Sequence, residues 1–260
     1  MTASDHWGRR PRDWAQLAEP SNEPLFATVL NRLHVSEGTR LLDIGCGSGY
    51  AARMAAELGA AVTGIDITPE LIEIARERLP NGGDFRVGSM DSLPFDDGSF
   101  DAAVGFNAFQ FADDPAQAVS EAARVVTPQG LVAATTFAEP ERNESTALHL
   151  ALEPLRNTAP ATPSHLPYEL SAPGGLEALL TKASLEPVER GEVPLTWAHA
   201  SVDGAVRAVL ASAGGAMAID AAGEAAARAA LQEAVVPFTR PDGSVSMQNT
   251  FRYAIARRAD

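Results

Sequence analysis

Residues 41–52, which read LLDIGCGSGYAA, place three glycines one residue apart directly after a short apolar run. The apolar run predicts a buried strand, and the alanine-rich residues after the glycines predict a helix. Small residues at such a strand–helix turn let backbone N–H groups approach a ligand, and the helix N-terminus adds positive electrostatic potential. The stretch therefore predicts an α/β fold with a ligand site at the end of its first strand.

Strand-like and helix-like runs alternate over residues 40–137. The predicted strands are Arg40–Ile44, Ala61–Ile65, Asp84–Val87, Asp101–Phe106 and Leu131–Phe137, and the predicted helices are Tyr50–Leu58, Pro69–Leu79 and Pro115–Val126. This alternation predicts a doubly wound, mostly parallel sheet with helices on both faces. Ligands bind such sheets at the carboxyl ends of the strands where the strand order reverses, and the glycine turn falls there.

The pattern changes on either side of this region. Two helices are expected within residues 1–38; further helices are predicted at Glu144–Leu155, Gly175–Ala183, Val202–Ala213 and Glu224–Val235, and strands at Leu185–Trp197 and Ser244–Arg257. We expect residues 39–137, 174–197 and 241–260 to form the core, with the final strand in the last segment. Residues 1–38, 138–173 and 198–240 are expected to form helical lid segments over it.

The charge and cysteine content restrict the partners. The formal net charge of −14 disfavours nucleic acid, whose binding depends on Lys and Arg at phosphates. The single cysteine cannot form an intramolecular disulfide, and no apolar run approaches the length of a membrane helix. We expect a cytoplasmic monomer or homodimer that uses a small-molecule substrate, with no nucleic acid, no membrane and no metal.

The spacing of the glycines distinguishes between nucleotide-like ligands. A dinucleotide fingerprint reads G-x-G-x-x-G, but Tyr50 stands where its last glycine is required. A phosphate-binding P-loop needs G-K-[ST], which is absent from this stretch. The turn is therefore a weak match to a pyrophosphate site.

Acidic residues follow the second and third predicted strands. Asp66, 21 positions after the first glycine, can accept two hydrogen bonds from ribose hydroxyls. Asp91 can accept a hydrogen bond from an adenine amine, with Met90 and Ile67 against the ring faces. The pattern predicts an adenosine ligand without a pyrophosphate.

Four stretches resemble one family in order and spacing: LLDIGCGSGYAA, TGIDITPELIEIAR, FRVGSMDSLPFDDGSFDAAVGFNAF and EAARVVTPQGLVAATTF. They are similar to class I S-adenosylmethionine (SAM)-dependent methyltransferases, in particular the small-molecule, quinone-biosynthesis-like branch (methyltransferase types 11 and 25). The resemblance covers about residues 38–137. It implies a Rossmann-like sheet of seven strands with the last strand antiparallel, SAM as methyl donor and S-adenosylhomocysteine (SAH) as product.

The resemblance also implies a set of cofactor-binding residues. Asp43, Gly45 and Gly47 would line the methionine end, Asp66 would hold the ribose, and Asn107 would lie near the amino acid or the sulfonium. The complete implied set is Asp43, Gly45, Cys46, Gly47, Asp66, Ile67, Met90, Asp91 and Asn107. The Cys46 side chain is expected to fill space behind the loop and not to act as a nucleophile.

The sequence does not single out a catalytic base. Many relatives carry a histidine after the fourth strand, where this chain has Gln110, which cannot titrate. The remaining candidates for contact with the substrate are His149, His165, His199 and Tyr168. Aromatic residues at the strand ends and in the lid segments predict an apolar pocket for a planar metabolite, and these are Trp14, Phe26, Phe109, Phe137 and Trp197.

Three functions are compatible with these residues. The leading hypothesis is O-, N- or C-methylation of a small apolar or aromatic molecule, driven mainly by positioning. Gln110 and the absence of an obvious base leave open a protein that binds SAM and catalyses a cyclase- or pericyclase-like reaction. An NAD or nucleotide-sugar oxidoreductase is the third hypothesis, and the glycine spacing together with Asp91 argues against it.

Overall fold

The computed structural model describes residues 3–156 and 168–259. Its strands form one sheet: β1 Arg40–Ile44, β2 Ala61–Asp66, β3 Gly83–Val87, β4 Phe100–Gly105, β5 Val126–Phe137, β6 Leu185–His199 and β7 Val245–Arg258, in the order β3-β2-β1-β4-β5-β7-β6. The first five strands pair in parallel, whereas β7 pairs antiparallel with both β5 and β6. The predicted seven-stranded α/β fold with an antiparallel last strand is confirmed.

Helices cover both faces of this sheet. Their bounds are α1 Ala3–Trp7, α2 Pro11–Asp13, α3 Glu23–Arg32, α4 Tyr50–Glu57, α5 Pro69–Arg78, α6 Pro115–Val125, α7 Thr146–Arg156, α8 Tyr168–Ser171, α9 Gly175–Lys182, α10 Val202–Leu210, α11 Ala213–Ala222 and α12 Glu224–Ala234. A π-helical turn, Trp14–Ala18, and a 3-10 turn, Glu19–Asn22, join α2 to α3. Three short 3-10 turns lie at Phe109–Phe111, Pro140–Arg142 and Val236–Phe238.

Three buried clusters hold the layers together. Apolar residues of α3, α4 and α5 pack on one face of the sheet, and those of α6 and α9 pack on the other. A third cluster joins α7, α10, α11 and α12 to the start of β7 through Val245 and Met247. The helices α7 and α10–α12 therefore form a separate apolar layer beside the carboxyl end of β5.

Several elements differ from the sequence predictions: residues 3–32 form three α-helices instead of two, α8 was not predicted, and β5 and α11 differ for identifiable reasons. The strand β5 begins at Val126, five residues before the predicted start at Leu131, because Val126 pairs with Phe100 before an irregularity in the register. Gln129 adopts a left-handed φ of 64° in that irregularity. Helix α11 was not predicted, because its sequence AGGAMAIDAA has two glycines and no polar face at helical spacing.

The N-terminal segment, residues 3–22, lies between the sheet edge and the helices α10–α12. Ser4 Oγ donates to the Ile67 carbonyl oxygen at 3.0 Å, just past β2. On the other side, Arg10 pairs with Glu224 at 2.7 Å and Asp13 pairs with Arg207. This segment therefore contacts the carboxyl end of the sheet and the helical layer at the same time.

None of the helices in the described ranges is on its own long and apolar enough to cross a membrane. Helices α10 and α11 meet that length and composition only when taken together, across a bend of 88°.

The packing of α9 generates a test of the core. Leu180 on α9 is fully buried against the sheet, whereas Leu58, just after α4, is 50% exposed. We expect Leu180→Ala to lower the free energy of unfolding by about 2–5 kcal/mol, because it removes buried methyl groups and leaves a cavity. The matched control Leu58→Ala should cost about 0.5 kcal/mol or less. Urea unfolding of both variants checks this, and equal losses would contradict the assignment of Leu180 to the core.

Candidate active site

The strand order reverses between β1 and β4, which lie side by side with Asp43 level with Val104. From β1 the chain moves outward to β2 and β3, and it then returns to β4 on the other side of β1. The loops after β1 and β4 therefore diverge and leave a crevice at their carboxyl ends, where α/β sheets bind ligands.

The glycine turn after β1 requires glycine for two reasons. Gly45, Gly47 and Gly49 have φ values of 69°, 54° and 74°, a region that other residues rarely adopt. A Cβ atom on Gly45 would lie 2.6 Å from the Cβ of Ala108 in the loop after β4. The N–H of Gly45 donates to the Ile65 carbonyl oxygen at 2.8 Å, which fixes the turn to the end of β2.

Asp66 connects this turn to the start of α5. Its Oδ2 accepts a hydrogen bond from the Gly47 N–H at 2.9 Å, and its Oδ1 accepts one from the Thr68 N–H at 2.9 Å. Each oxygen keeps acceptor capacity for a further donor, because a carboxylate has about four lone-pair sites. Burial raises the pKa of Asp66, and the two N–H donors oppose that shift.

Glu19 is a site residue that the sequence analysis missed. It is 5% exposed, and its Oε1 accepts hydrogen bonds from the Ser48 N–H at 2.8 Å and from Trp14 Nε1 at 3.1 Å. Its Oε2 pairs with Arg78 at 2.9 Å and accepts from the Ser48 hydroxyl. No local pattern indicates these contacts, because Glu19 and Ser48 are 29 positions apart. The N-terminal segment is thereby bonded to the glycine turn.

Asp43 lies beneath the turn, at the end of β1. It is 2% exposed, and its Oδ1 has no hydrogen-bond partner among the described residues. Burial, followed by the charges of Glu19 and Asp66, raises the pKa of Asp43 to about 8. Asp43, Glu19 and Asp66 therefore place three carboxyl groups around the glycine turn, and of these three only Glu19 forms an ion pair with an arginine of the described residues.

The other predicted cofactor residues lie along the same edge. Ile67 is 46% exposed just past β2, and the Met90 Cε atom would lie 3.6 Å from a Cβ on Gly45. Asp91 accepts hydrogen bonds from Ser89 Oγ at 3.0 Å and from the Asp114 N–H at 3.1 Å. These groups form an apolar surface with a carboxylate at its rim.

Asn107 and Cys46 complete the predicted set. Asn107 follows β4 with a left-handed φ of 50°, and its N–H donates to Thr135 Oγ1 at 2.9 Å. Cys46 is 6% exposed and packs in the core behind the turn, where its sulfur would lie 2.9 Å from a Cβ on Gly64. Burial raises the pKa of the Cys46 thiol, so it is protonated at neutral pH.

The polar and apolar groups at this edge fit SAM. The orphaned Asp43 Oδ1 and the neighbouring carboxylates suit a ligand that carries an ammonium and a sulfonium. The exposed Ile67 side chain offers an apolar face to a planar base. Within the described ranges, no group of three or more His, Cys, Asp or Glu side chains is arranged to hold a metal ion.

Two of the catalytic candidates share one cavity. Gln110 and His149 line a cavity of about 40 Å³ together with Phe137 from the end of β5. Trp197 is adjacent, with its ring centroid 5.9 Å from that of Phe137. Burial, followed by the charge of Arg156, lowers the pKa of His149 to about 4, so its imidazole is neutral at pH 7.

The remaining candidates lie elsewhere. His199 lines a separate pocket of about 650 Å³ between the N-terminal segment and the start of α10. Trp14 Nε1 donates a hydrogen bond to Glu19, as described above. The Phe26 ring packs against Phe106 with 4.7 Å between centroids. Phe109 is buried in the core against Gly105. His165 lies outside the described residues, and of Tyr168 only the backbone at the start of α8 is described.

Comparison with known proteins identifies this core. Residues 42–134 match the family model described as "Methyltransferase domain" (Methyltransf_11). Over these residues, about a third of the chain, the sequence is similar to a methyltransferase domain. The match begins inside β1 and ends inside β5, so the matched residues include the glycine turn, Asp66 and Asn107.

Curated relatives match part of this chain. A demethylmenaquinone methyltransferase of Tropheryma whipplei is 38% identical over 112 residues, which are 42% of this chain and 46% of the relative. An uncharacterized protein of Mycobacterium tuberculosis is 33% identical over 156 residues, 59% of this chain and 56% of the relative. The chain thus spans about half the length of the curated relatives it matches.

Solved structures share the fold at low identity. A Bacillus halodurans protein assigned as a methyltransferase has a TM-score of 0.60 at 17% identity and covers 90% of this chain and 99% of its own. The [4+2]-cyclase SpnF has a TM-score of 0.57 at 23% identity, with 90% and 80% coverage. Geranyl diphosphate C-methyltransferase from Streptomyces coelicolor A3(2) has a TM-score of 0.54 at 16% identity, with 91% and 77% coverage.

The buried carboxyl of Asp43 generates a pH prediction. The folded chain keeps the Asp43 proton up to about pH 8, whereas the unfolded chain releases it near pH 3.8. Between these values the folded state binds more protons, so the free energy of unfolding contributed by Asp43 falls as the pH rises. Urea unfolding between pH 5 and 8 should therefore show a steeper loss of stability for the wild type than for Asp43→Asn. Parallel curves would contradict the raised pKa.

Proposed function

We propose that this protein is a SAM-dependent methyltransferase that acts on a small, apolar or aromatic metabolite. The observation that supports this most directly is the Asp66 carboxylate at the end of β2, which accepts from the N–H groups of Gly47 and Thr68 at 2.9 Å each and retains capacity to accept further hydrogen bonds. The methyltransferase domain match and the orphaned Asp43 oxygen support the same cofactor. The spent cofactor SAH would occupy the same site.

We assign the cofactor contacts to residues of this edge. Asp66 would accept hydrogen bonds from the ribose hydroxyls, Ile67 and Met90 would contact the adenine, and Asp91 would accept from its amine. Asp43, the backbone of Gly45 to Gly47, and Asn107 would surround the methionine portion. When bound, SAM supplies a sulfonium methyl group that a nucleophile attacks in line with the sulfur–carbon bond.

The protein's contribution to the reaction would be to position the acceptor and to exclude water. Holding two reactants in a near-attack geometry can supply up to about 7–11 kcal/mol of the barrier. We propose that residues 1–38, 138–173 and 198–240 act as the lid that provides this enclosure. Phe137, which lines the cavity, and Trp197, whose ring centroid is 5.9 Å from that of Phe137, suit a planar acceptor. The net charge of −14 disfavours nucleic acid as the acceptor.

A reaction without methyl transfer is the second candidate. Two observations favour it: Gln110 cannot titrate, and the pKa of His149 is only about 4, so neither is a strong base. The chain also shares its fold with the [4+2]-cyclase SpnF. Product mass separates the two functions, because methylation gives a product heavier by one methylene with release of SAH, whereas cyclisation gives an isomer.

The cofactor assignment is tested by calorimetry with SAH. Asp66→Asn should weaken SAH binding by about tenfold to a hundredfold, because a hydrogen bond to a charged acceptor contributes about 1.5–3 kcal/mol. The matched control Asp84→Asn changes a carboxylate of the neighbouring strand β3 that pairs with Arg86 away from the crevice, and its affinity should match the wild type.

Circular dichroism melting of both variants tests whether they fold. Equal SAH affinity in Asp66→Asn and the wild type, or no heat from folded wild type with either SAM or SAH, would overturn the assignment. Preferential stabilisation by NAD would instead favour the oxidoreductase hypothesis.

A further inference from the structure

The cavity beside Phe137 contains buried polar atoms without partners. Gln110 Oε1, Ser145 Oγ and His149 Nε2 are all buried, and none has a hydrogen-bond partner among the described residues. All three side chains line the same cavity of about 40 Å³. Unpaired buried polar atoms cost about 1–3 kcal/mol each, so three of them around one cavity indicate a site built to bind a polar group.

The lining of this cavity carries no charge. Its side chains are amides, hydroxyls, aliphatic and aromatic groups, and the imidazole of His149, which is neutral above about pH 4. The charge that lowers the pKa of His149 belongs to Arg156, two turns further along α7 and outside the lining. A charged ligand group placed here would lose its hydration without an ion-pair partner, which is strongly unfavourable.

The three orphaned atoms differ in what they can do. The Gln110 carbonyl oxygen only accepts hydrogen bonds, whereas the Ser145 hydroxyl can donate or accept. The neutral His149 ring also offers one donor and one acceptor nitrogen. A ligand group that satisfies this set must be able to donate to Gln110 and must be compact enough for the cavity. An un-ionised hydroxyl meets both requirements, and an ionised carboxylate lacks the donor.

Aromatic rings stand next to these polar groups. The Phe137 ring is 6.4 Å from that of His149 and 5.9 Å from that of Trp197, with near-perpendicular planes in both pairs. The cavity is also connected to the proposed cofactor edge. Thr135, which precedes the lining residue Thr136 on β5, forms hydrogen bonds with Asn107 through its hydroxyl group. The polar end of the cavity is therefore bordered by the aromatic surface that would contact a planar ring.

We propose that Gln110, Ser145 and His149 form a recognition site for the un-ionised hydroxyl group of a planar, uncharged acceptor. This inference rests on the proposed methyltransferase function and adds the class of acceptor and the residues that select it. The cavity would hold the hydroxyl-bearing end of the acceptor, while the ring contacts Phe137. His149 on α7 would form a hydrogen bond directly with the acceptor, and Gln110 would do so from the loop after β4.

The proposal is tested by calorimetry on the full chain saturated with SAH. Three probes share one ring system: 2-naphthol carries the hydroxyl, 2-methoxynaphthalene lacks the donor hydrogen, and 2-naphthoate carries a charge. The wild type should bind 2-naphthol about tenfold more tightly than either of the other two, since one buried unpaired group costs about 1.4 kcal/mol or more.

A matched pair of histidine variants locates this preference. His149→Phe keeps a ring of similar size and removes both nitrogens, so the tenfold preference should disappear while 2-methoxynaphthalene still binds. His199→Phe makes the same change in the separate pocket and should keep the preference. Gln110→Leu removes the acceptor oxygen and should also abolish the preference. It provides the test if His149→Phe does not fold.

The outcomes separate the two proposals. Absence of SAH binding to the folded wild type would overturn the proposed function. Normal SAH binding with no preference for 2-naphthol, or with a preference for 2-naphthoate, would overturn the hydroxyl site alone. A preference that survives in both folded His149→Phe and Gln110→Leu would also overturn it, because a site elsewhere or a buried water in the cavity would then explain the observations.

Discussion

The cofactor edge of this sheet depends on one carboxylate held by the backbone of two different loops. Asp66 ends β2 and accepts from Gly47 in the turn after β1 and from Thr68 just before α5. A buried carboxylate is costly unless donors compensate it, and backbone N–H groups are donors that among substitutions only proline removes. The position of the glycine turn is therefore tied to β2 through Asp66 as well as through the Ile65 carbonyl oxygen.

The cofactor edge of the sheet and the cavity at His149 differ in their electrostatics. Near β1 and β2, burial raises the pKa values of Asp43, Glu19 and Asp66, and these carboxyl groups would be stabilised in their charged form by a cationic ligand. Beyond β4 and β5, the lining of the cavity at His149 is uncharged. A sulfonium donor on the first side and a neutral acceptor on the second would each meet the environment that suits its charge.

Local patterns were sufficient for the sheet and for the ends of its strands. The apolar runs, first-turn prolines and glycine spacing predicted β1 to β4 to within one residue at each boundary, and the strand order places Asp66 and Asn107 at one edge. The contacts of Glu19 and the cavity at His149 could not be predicted, because each depends on contacts between separate segments: Glu19 and Ser48 are 29 positions apart, and the cavity joins Gln110, His149 and Ser171. Helix α11 was missed for a different reason, since an alanine- and glycine-rich segment buried on several sides lacks an amphipathic period.

The N-terminal segment, residues 3–22, joins the glycine turn to the helical layer. Glu19 accepts a hydrogen bond from the Ser48 N–H in the turn, while Arg10 and Asp13 form ion pairs with α12 and α10. Removing this segment would expose the edge of α10–α12 and leave Arg78 without its buried carboxylate partner in a single step. A truncation would therefore change both ligand binding at the glycine turn and the packing of α10–α12. Point substitutions at Glu19 or Asp13 are needed to change only one of them.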